Sequence, residues 1–115
     1  MENGFSIVVG GINFNPLNFI SEVIEPDNIQ NSNKDNYLEF NDYTEKKYPL
    51  DMVAEAIDIL DIYQNYFQSF MHEATVEYRA INFLIDNQSE SLDFNLTQIK
   101  LLNKLKFTIS ITIIN

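Results

Sequence analysis

A row of carboxylates in residues 51–66 comes nearest to a chemical motif in this sequence. Asp51, Glu55 and Asp58 recur at positions i, i+4 and i+7, and Asp61 continues the row. In a helix this spacing places the acids along one face. Paired carboxylates can act as a general acid and a general base, as they do in glycosidases. On the exposed face of an amphipathic helix the carboxylates lack the burial that tunes such a pair for catalysis. We therefore expect no catalysis here.

The same row has two non-catalytic interpretations. Like charges at i and i+4 cost a helix a few tenths of a kcal/mol, and no lysine or arginine interrupts residues 52–78. A helix surface that serves stability alone usually mixes the two signs. The row is therefore either an ordinary solvated face or a surface that binds a basic partner, and the sequence leaves both open.

The other residue types offer no metal or nucleophile site. His72 is the only histidine and the chain has no cysteine, so a thiolate zinc site, a two-histidine site and a cysteine–histidine pair are excluded. At the end of a predicted helix, His72 can bond the last carbonyl groups. The Asn-rich segment that starts at Asp27 lacks the glycine and the final glutamate of a calcium loop. We predict no metal, no cofactor and no enzymatic activity.

Charge is unevenly distributed along the 115 residues. All 17 acidic residues precede Asn95, whereas three of the 7 basic residues and no acid follow it, and the formal net charge is −10. A field of this sign repels nucleic-acid phosphates and anionic lipids and attracts cationic partners. We therefore expect neither nucleic-acid nor membrane binding. Solubility alone is the alternative explanation of the charge.

The sequence carries no targeting or membrane signal. Its start, MENGFSIVVGGI, has neither the basic region nor the long apolar run of a signal peptide. No apolar stretch approaches the ~18 residues that suggest a membrane span. Hydrophobic residues make up 45% of the chain, which is enough for a core at this length. We expect one soluble, cytoplasmic domain that covers residues 1–115.

Hydrophobic periodicity predicts elements in the order β-α-β-α-β-α-β. Strands are expected in four segments: FSIVVGGI, YLEF, ATVEYRAINFLI and FTISITII. Helices are predicted at about 15–23, 51–70 and 96–105. The Asn-rich residues 27–36 should form a loop. This order indicates an α+β fold in which helices pack on a single, mainly antiparallel sheet.

Local sequence signals predict where the helices begin and which faces of two elements are buried. Asn15 should cap the first helix, Asp51 the second, and Asn95 with Gln98 should form a capping box for the third. The second helix has an apolar face at three–four spacing: Val53, Ala56, Ile57, Leu60, Tyr63, Phe67 and Phe70. The final strand should be well buried, because four apolar residues share one face: Phe107, Ile109, Ile111 and Ile113.

Two segments at the ends of the chain match the pattern of a known family. GFSIVVGGINFNPLNFISEVIEP has Asn15-Pro16, Ile20, Ile24 and Pro26 at the positions that follow that family's first strand. LDFNLTQIKLLNKLKFTISITI is similar to that family's final helix and strand, with leucines at apolar positions: Leu92, Leu96, Leu101, Leu102 and Leu105. These segments resemble a small bacterial family labelled domain of unknown function 4279. The resemblance implies an α+β fold without catalytic residues, and similar proteins occur among immunity proteins of bacterial toxin systems.

Charge and resemblance together predict a cytoplasmic immunity protein that neutralises a cationic bacterial toxin, with a nuclease as the expected toxin, by covering its active site. A nuclease groove is basic because its substrate is a polyanion, and an acidic inhibitor is steered into it. The partner-binding residues are expected to be Glu39, Asp42, Glu45, Asp51, Glu55, Asp58 and Asp61. Exposed tyrosines should anchor the interface: Tyr37, Tyr43 and Tyr48. The alternative is a small-ligand or regulatory binding module without catalytic activity.

Overall fold

The computed structural model describes residues 3–32, 34–44, 48–86 and 92–113. Its five strands are β1 Asn3–Gly11, β2 Asn28–Gln30, β3 Asn36–Thr44, β4 Tyr78–Ile85 and β5 Thr108–Ile113. Its three α-helices are α1 Pro49–Ile62, α2 Gln64–Gln68 and α3 Leu96–Leu105. Two short 3-10 helices lie at Pro16–Phe19 and Ser69–His72.

The strands form one sheet with the order β2-β3-β1-β4-β5. β1 lies in the middle and pairs antiparallel with β3 and β4, and β2 pairs antiparallel with β3. β4 and β5 are parallel, because α3 returns the chain to the end of the sheet where β4 began. The predicted α+β fold with helices on a single sheet is confirmed. The prediction of a mainly antiparallel sheet is wrong, since the sheet is mixed.

The strand β2 lies in the segment that the sequence predicts to be a loop. Asn28 pairs with Glu39 and Gln30 with Tyr37, and all of β2 is exposed. A strand without a buried face shows no apolar alternation, so only its backbone pairing reveals it. The predicted order β-α-β-α-β-α-β is therefore incomplete, because a further strand precedes β3.

The first predicted helix, 15–23, is a 3-10 helix of 4 residues. Asn15 caps it as expected, because its side chain accepts a hydrogen bond from the amide of Leu17 over 3.2 Å. Ile20 already has extended backbone angles. Since Ile20 and Val23 are both exposed, no buried apolar stripe continues the helix across these positions.

The long predicted helix, 51–70, is interrupted at Tyr63. The backbone angles of Tyr63, φ −107° and ψ 34°, separate α1 from α2. α1 begins at Pro49 with Tyr48 as its N-cap and without a side-chain capping bond. The prediction of one continuous helix capped by Asp51 is therefore wrong. Asp51 instead lies in the first turn, where the helix dipole favours a negative charge.

The helix α3 begins and ends where its sequence predicts. Asn95 Oδ1 accepts a hydrogen bond from the amide of Gln98, and Gln98 Oε1 accepts one from the amide of Asn95, both over 2.9 Å. At the other end Lys106 adopts left-handed backbone angles. The amide of Phe107 then donates to the carbonyl of Leu102 over 2.9 Å. These local bonds fix both ends of α3 and direct the chain into β5.

The hydrophobic core lies between one face of the sheet and the helices. Phe5 of β1 is fully buried there, and Phe67 of α2 makes edge-on ring contacts with Phe40 and Phe107. Tyr63 is half-buried. The other members of the predicted apolar face of the long helix are buried, which confirms that face: Val53, Ala56, Ile57, Leu60, Phe67 and Phe70.

The strand β5 lies at the edge of the sheet. Phe107, just before it, is buried. Ile111 and Ile113 lie opposite Phe83 and Ile85 on the helix side of the sheet, yet 49% and 50% of their surfaces are exposed. The prediction of a well-buried final strand is therefore wrong, because the helices cover only its beginning.

Candidate functional site

The acidic residues of α1 lie on its solvent side. Asp51, Glu55, Asp58 and Asp61 are all exposed, so the spacing does produce a row on the surface. Ile62 falls on the same side of the helix and is 71% exposed. Ile62 therefore contributes an apolar side chain to this acidic surface and not to the core.

Asp58 and Asp61 border a groove between α1 and α3. The groove has a volume of about 430 Å³, and Lys100 and Lys104 line it from α3. Gln64 connects the two sides, because its Nε2 donates to Asp61 Oδ1 over 2.6 Å and its Oε1 accepts from Lys104 Nζ over 3.0 Å. Part of the acidic row thus faces lysines of the same chain, which offset its negative field locally.

A second cleft lies where α1 meets α2. It has a volume of about 570 Å³ and is lined by Val23 and by residues 61–66. Val23 is 65% exposed, so it forms an exposed apolar centre together with Ile62. Glu22, next to Val23 in the chain, is exposed as well. We call these five residues the acidic–apolar surface: Glu22, Val23, Asp58, Asp61 and Ile62.

The sequence carried a signal for one of the two apolar members of this surface. At helical spacing Ile62 falls among the acids, and an apolar residue inside a polar stripe is visible in the sequence. Val23 gave no such signal, because it follows the short 3-10 helix and reaches the cleft only through the tertiary fold.

Glu39 lies on the opposite face of the sheet from α1. Its Oε1 accepts hydrogen bonds from Asn28 Nδ2 over 2.6 Å and from Asn41 Nδ2 over 3.3 Å. The hydroxyl of Ser6, which is buried, donates to its Oε2. These bonds join β1, β2 and β3 and satisfy the carboxylate within the protein. Glu39 thus belongs to this network, and the fold does not bring it to the acids of α1.

The remaining predicted residues are scattered over the molecule. Asp42 is exposed and lies opposite Phe5 in the sheet, hence on the helix side near the end of β3. Glu45 lies outside the described residues. Of the predicted anchors, Tyr48 is exposed and Tyr37 is half-buried. The described members of the predicted site are therefore not one surface, and only the acids of α1 share a face.

Two tyrosines cover glycines on the open face of the sheet. A β-carbon on Gly4 would lie 2.1 Å from Tyr43 Cδ1, and one on Gly10 would lie 2.4 Å from Tyr78 Oη. Burial raises the pKa of Tyr43 above its usual value, and its hydrogen bond with Ser6 lowers it by a smaller amount. Burial also raises the pKa of Tyr78. Tyr43 is thus packed against the sheet, although its outer part remains exposed.

Tyr66 connects α2 to the first 3-10 helix. Its hydroxyl donates to the carbonyl of Phe19 over 2.8 Å, and its ring packs edge-on against Phe70 at a centroid distance of 5.2 Å. Burial raises the pKa of Tyr66 to about 12. These contacts hold the segment that leads to Val23 beside the end of α1.

Few features of the described residues point to other chemistry. His72 ends the second 3-10 helix and is exposed. Within the described part of the chain, no three histidine, aspartate or glutamate side chains form a group that could hold a metal ion. The helices in those ranges are too short or too polar to cross a membrane.

Comparison of the chain with protein-family models, with curated proteins and with solved structures gives no match. The resemblance of the chain's ends to domain of unknown function 4279 therefore stays a prediction.

Proposed function

We propose that the protein captures a cationic protein partner on its acidic–apolar surface, and that this partner is a bacterial toxin kept inactive in the cytoplasm. The supporting observation is that the acids along α1 are exposed beside two exposed aliphatic side chains, Ile62 and Val23. Apolar centres with polar rims are the usual anatomy of protein-binding sites. Acids around such a centre favour a partner that carries lysine or arginine around an apolar group.

The charge of the whole chain supports the same partner. A net charge of −10 attracts a basic protein over long distances and speeds the encounter. A nuclease is such a protein, since the groove that binds its substrate must be basic. An acidic protein that covers this groove blocks access of the nucleic acid. The proposed function is thus inhibition by occlusion, without catalysis and without a cofactor.

Binding kinetics at two salt concentrations test the electrostatic part of this proposal. The partner is obtained by co-purification of the native complex from the source operon. Raising the salt from ~0.05 to ~0.5 M should slow association more than it speeds dissociation, because salt screens charges that are still apart. An association rate that does not respond to salt contradicts electrostatic capture.

Variants of the acidic–apolar surface distinguish the contribution of its charges to binding from that of its apolar centre. Asp58→Asn with Asp61→Asn should lower the association rate roughly tenfold, whereas Ile62→Ser should mainly raise the dissociation rate. The matched control, Asp35→Asn with Glu77→Gln, removes two charges elsewhere and keeps both hydrogen-bond acceptors. If the two double variants lower the association rate equally, the net charge of the protein governs binding and this surface does not.

The groove between α1 and α3 supports a second candidate function, a small-ligand or regulatory binding module. Its volume of about 430 Å³ falls in the range of small-molecule sites. Its walls carry acids and lysines, which suits a zwitterionic ligand. A thermal-shift screen with free amino acids tests this function. Lys100→Ala with Lys104→Ala should abolish any such stabilisation and leave capture of a basic protein intact.

A further inference from the structure

The outer edge of β5 has no strand beside it among the residues that the structure describes. The other edge strand, β2, has only 3 residues, and so short an edge offers little to a further strand. β5 has 6 residues, and none of them is charged or proline. Charges and prolines are the usual means by which an edge strand is kept from pairing. The edge of β5 lacks both, and within the described residues it is open to a further strand.

Five of the six residues of β5 read the same in both directions. Thr108-Ile109-Ser110-Ile111-Thr112 is a palindrome centred on Ser110. In an antiparallel pair of two such strands centred on Ser110, Ile109 lies opposite Ile111 of the second copy, and Thr108 lies opposite its Thr112. Pairs of β-branched residues directly across two strands stabilise a sheet. The strand is therefore complementary to itself in one defined register.

Local charge opposes a second copy at α1 but not at β5. Every acid of the chain precedes Asn95, so two copies that approached through α1 would bring acids against acids. β5 itself is uncharged, and Lys100 and Lys104 of α3 line the groove that α1 shares. Pairing at β5 would also remove water from Ile111 and Ile113, which are half exposed.

We infer that two copies of the chain associate through β5, antiparallel and centred on Ser110, so that one sheet continues across the dimer. Each copy offers the same strand, so the pair has two-fold symmetry. The inference does not rest on the proposed function, because no residue of the acidic–apolar surface lies in β5. Each copy in the dimer keeps that surface for its own partner.

Analytical ultracentrifugation of the whole chain over a range of concentrations tests this dimer. Thr108→Lys with Thr112→Lys places lysine opposite lysine at both ends of the pair, and should raise the dimer dissociation constant at least ~tenfold. Thr108→Lys with Thr112→Glu places lysine opposite glutamate and should keep the dimer. The first variant is less acidic than the parent, so its dissociation cannot come from overall repulsion. Circular dichroism checks that each variant folds.

A single cysteine tests the register and stays informative if a lysine variant fails to fold. The chain has no cysteine, so Ser110→Cys places one thiol opposite its own copy, where mild oxidation should link two chains. Ser69→Cys, at an exposed position of the second 3-10 helix, is the matched control and should not link. The inference is overturned by a monomer at every concentration, by a dimer that survives the paired lysines, or by equal linking of the two cysteines.

Discussion

The helix α1 and the strand β5 each carry one apolar face in the sequence, but the fold covers them differently. The apolar face of α1 is buried, and its other face forms the acidic row. The apolar face of β5 is half exposed at Ile111 and Ile113. A helix can pack its whole apolar face against a sheet. The apolar face of an edge strand is buried only where helices extend far enough to cover it. An apolar pattern therefore shows which side of an element is apolar, and not how much of that side is buried.

The largest expected effect contrasts Phe107, just before β5, with Ile113, the last residue of β5. Phe107 is buried against Phe67, with ring centroids 5.8 Å apart, so Phe107→Ala should destabilise the protein by ~3–5 kcal/mol. Ile113→Ala should cost less than ~1 kcal/mol, because half of that side chain is already in water. Urea unfolding at low protein concentration, where copies are separate, measures both. Equal losses would show that β5 is covered along its whole length.

The next effect contrasts two residues on opposite sides of α1. Leu60 is fully buried, and Leu60→Ala should lower the unfolding free energy by ~2–5 kcal/mol. Ile62→Ser should change it by no more than ~0.5 kcal/mol, because the side chain is exposed. The same urea titration measures both variants. A large loss from Ile62→Ser would place this residue in the core and remove it from the acidic–apolar surface.

The smallest expected effect is a loss of stability at alkaline pH on the α1 side of the molecule. β5 carries no titratable side chain, whereas the pKa of Tyr66 rises from 10.0 to about 12 on burial. The folded state thus holds this proton more tightly than the unfolded chain. Its contribution to stability is complete below pH ~10 and falls as the pH rises through about 12.

Unfolding free energies measured at pH ~9 and ~11 test this decline. Tyr66→Phe should reduce the difference between the two values. An unchanged difference in that variant would assign the decline to Tyr43 and Tyr78, whose pKa values burial also raises.

The parts of the fold that the sequence predicted are those fixed by neighbours along the chain. The capping box of α3 uses Asn95 and Gln98, three positions apart, and the apolar face of α1 repeats within single turns. Such interactions form inside one element, so spacing alone reveals them. The same reasoning located the acidic row, which is likewise a property of one helix.

The parts that the sequence did not predict depend on pairing between distant segments. β2 is held through its pairing with β3 and has no apolar alternation of its own. Nothing in the residues of β5 shows that it pairs on one side only. The cleft that joins Val23 to Ile62 is likewise formed by two segments far apart in sequence. The candidate site was therefore visible only in part, because its acids and Ile62 are apparent in the sequence and Val23 is not.

The central position of β1 has a consequence for how the chain acquires its structure. β1 is the first strand in the chain, yet it pairs on one side with β3 and on the other with β4. The amide of Asp86 even donates to Asn3 Oδ1 across 83 positions of sequence. Contacts so far apart make loop closure costly and folding slow. β1 thus waits for the synthesis of the later strand β4 before its second edge is satisfied, and until then that edge needs protection from other strands.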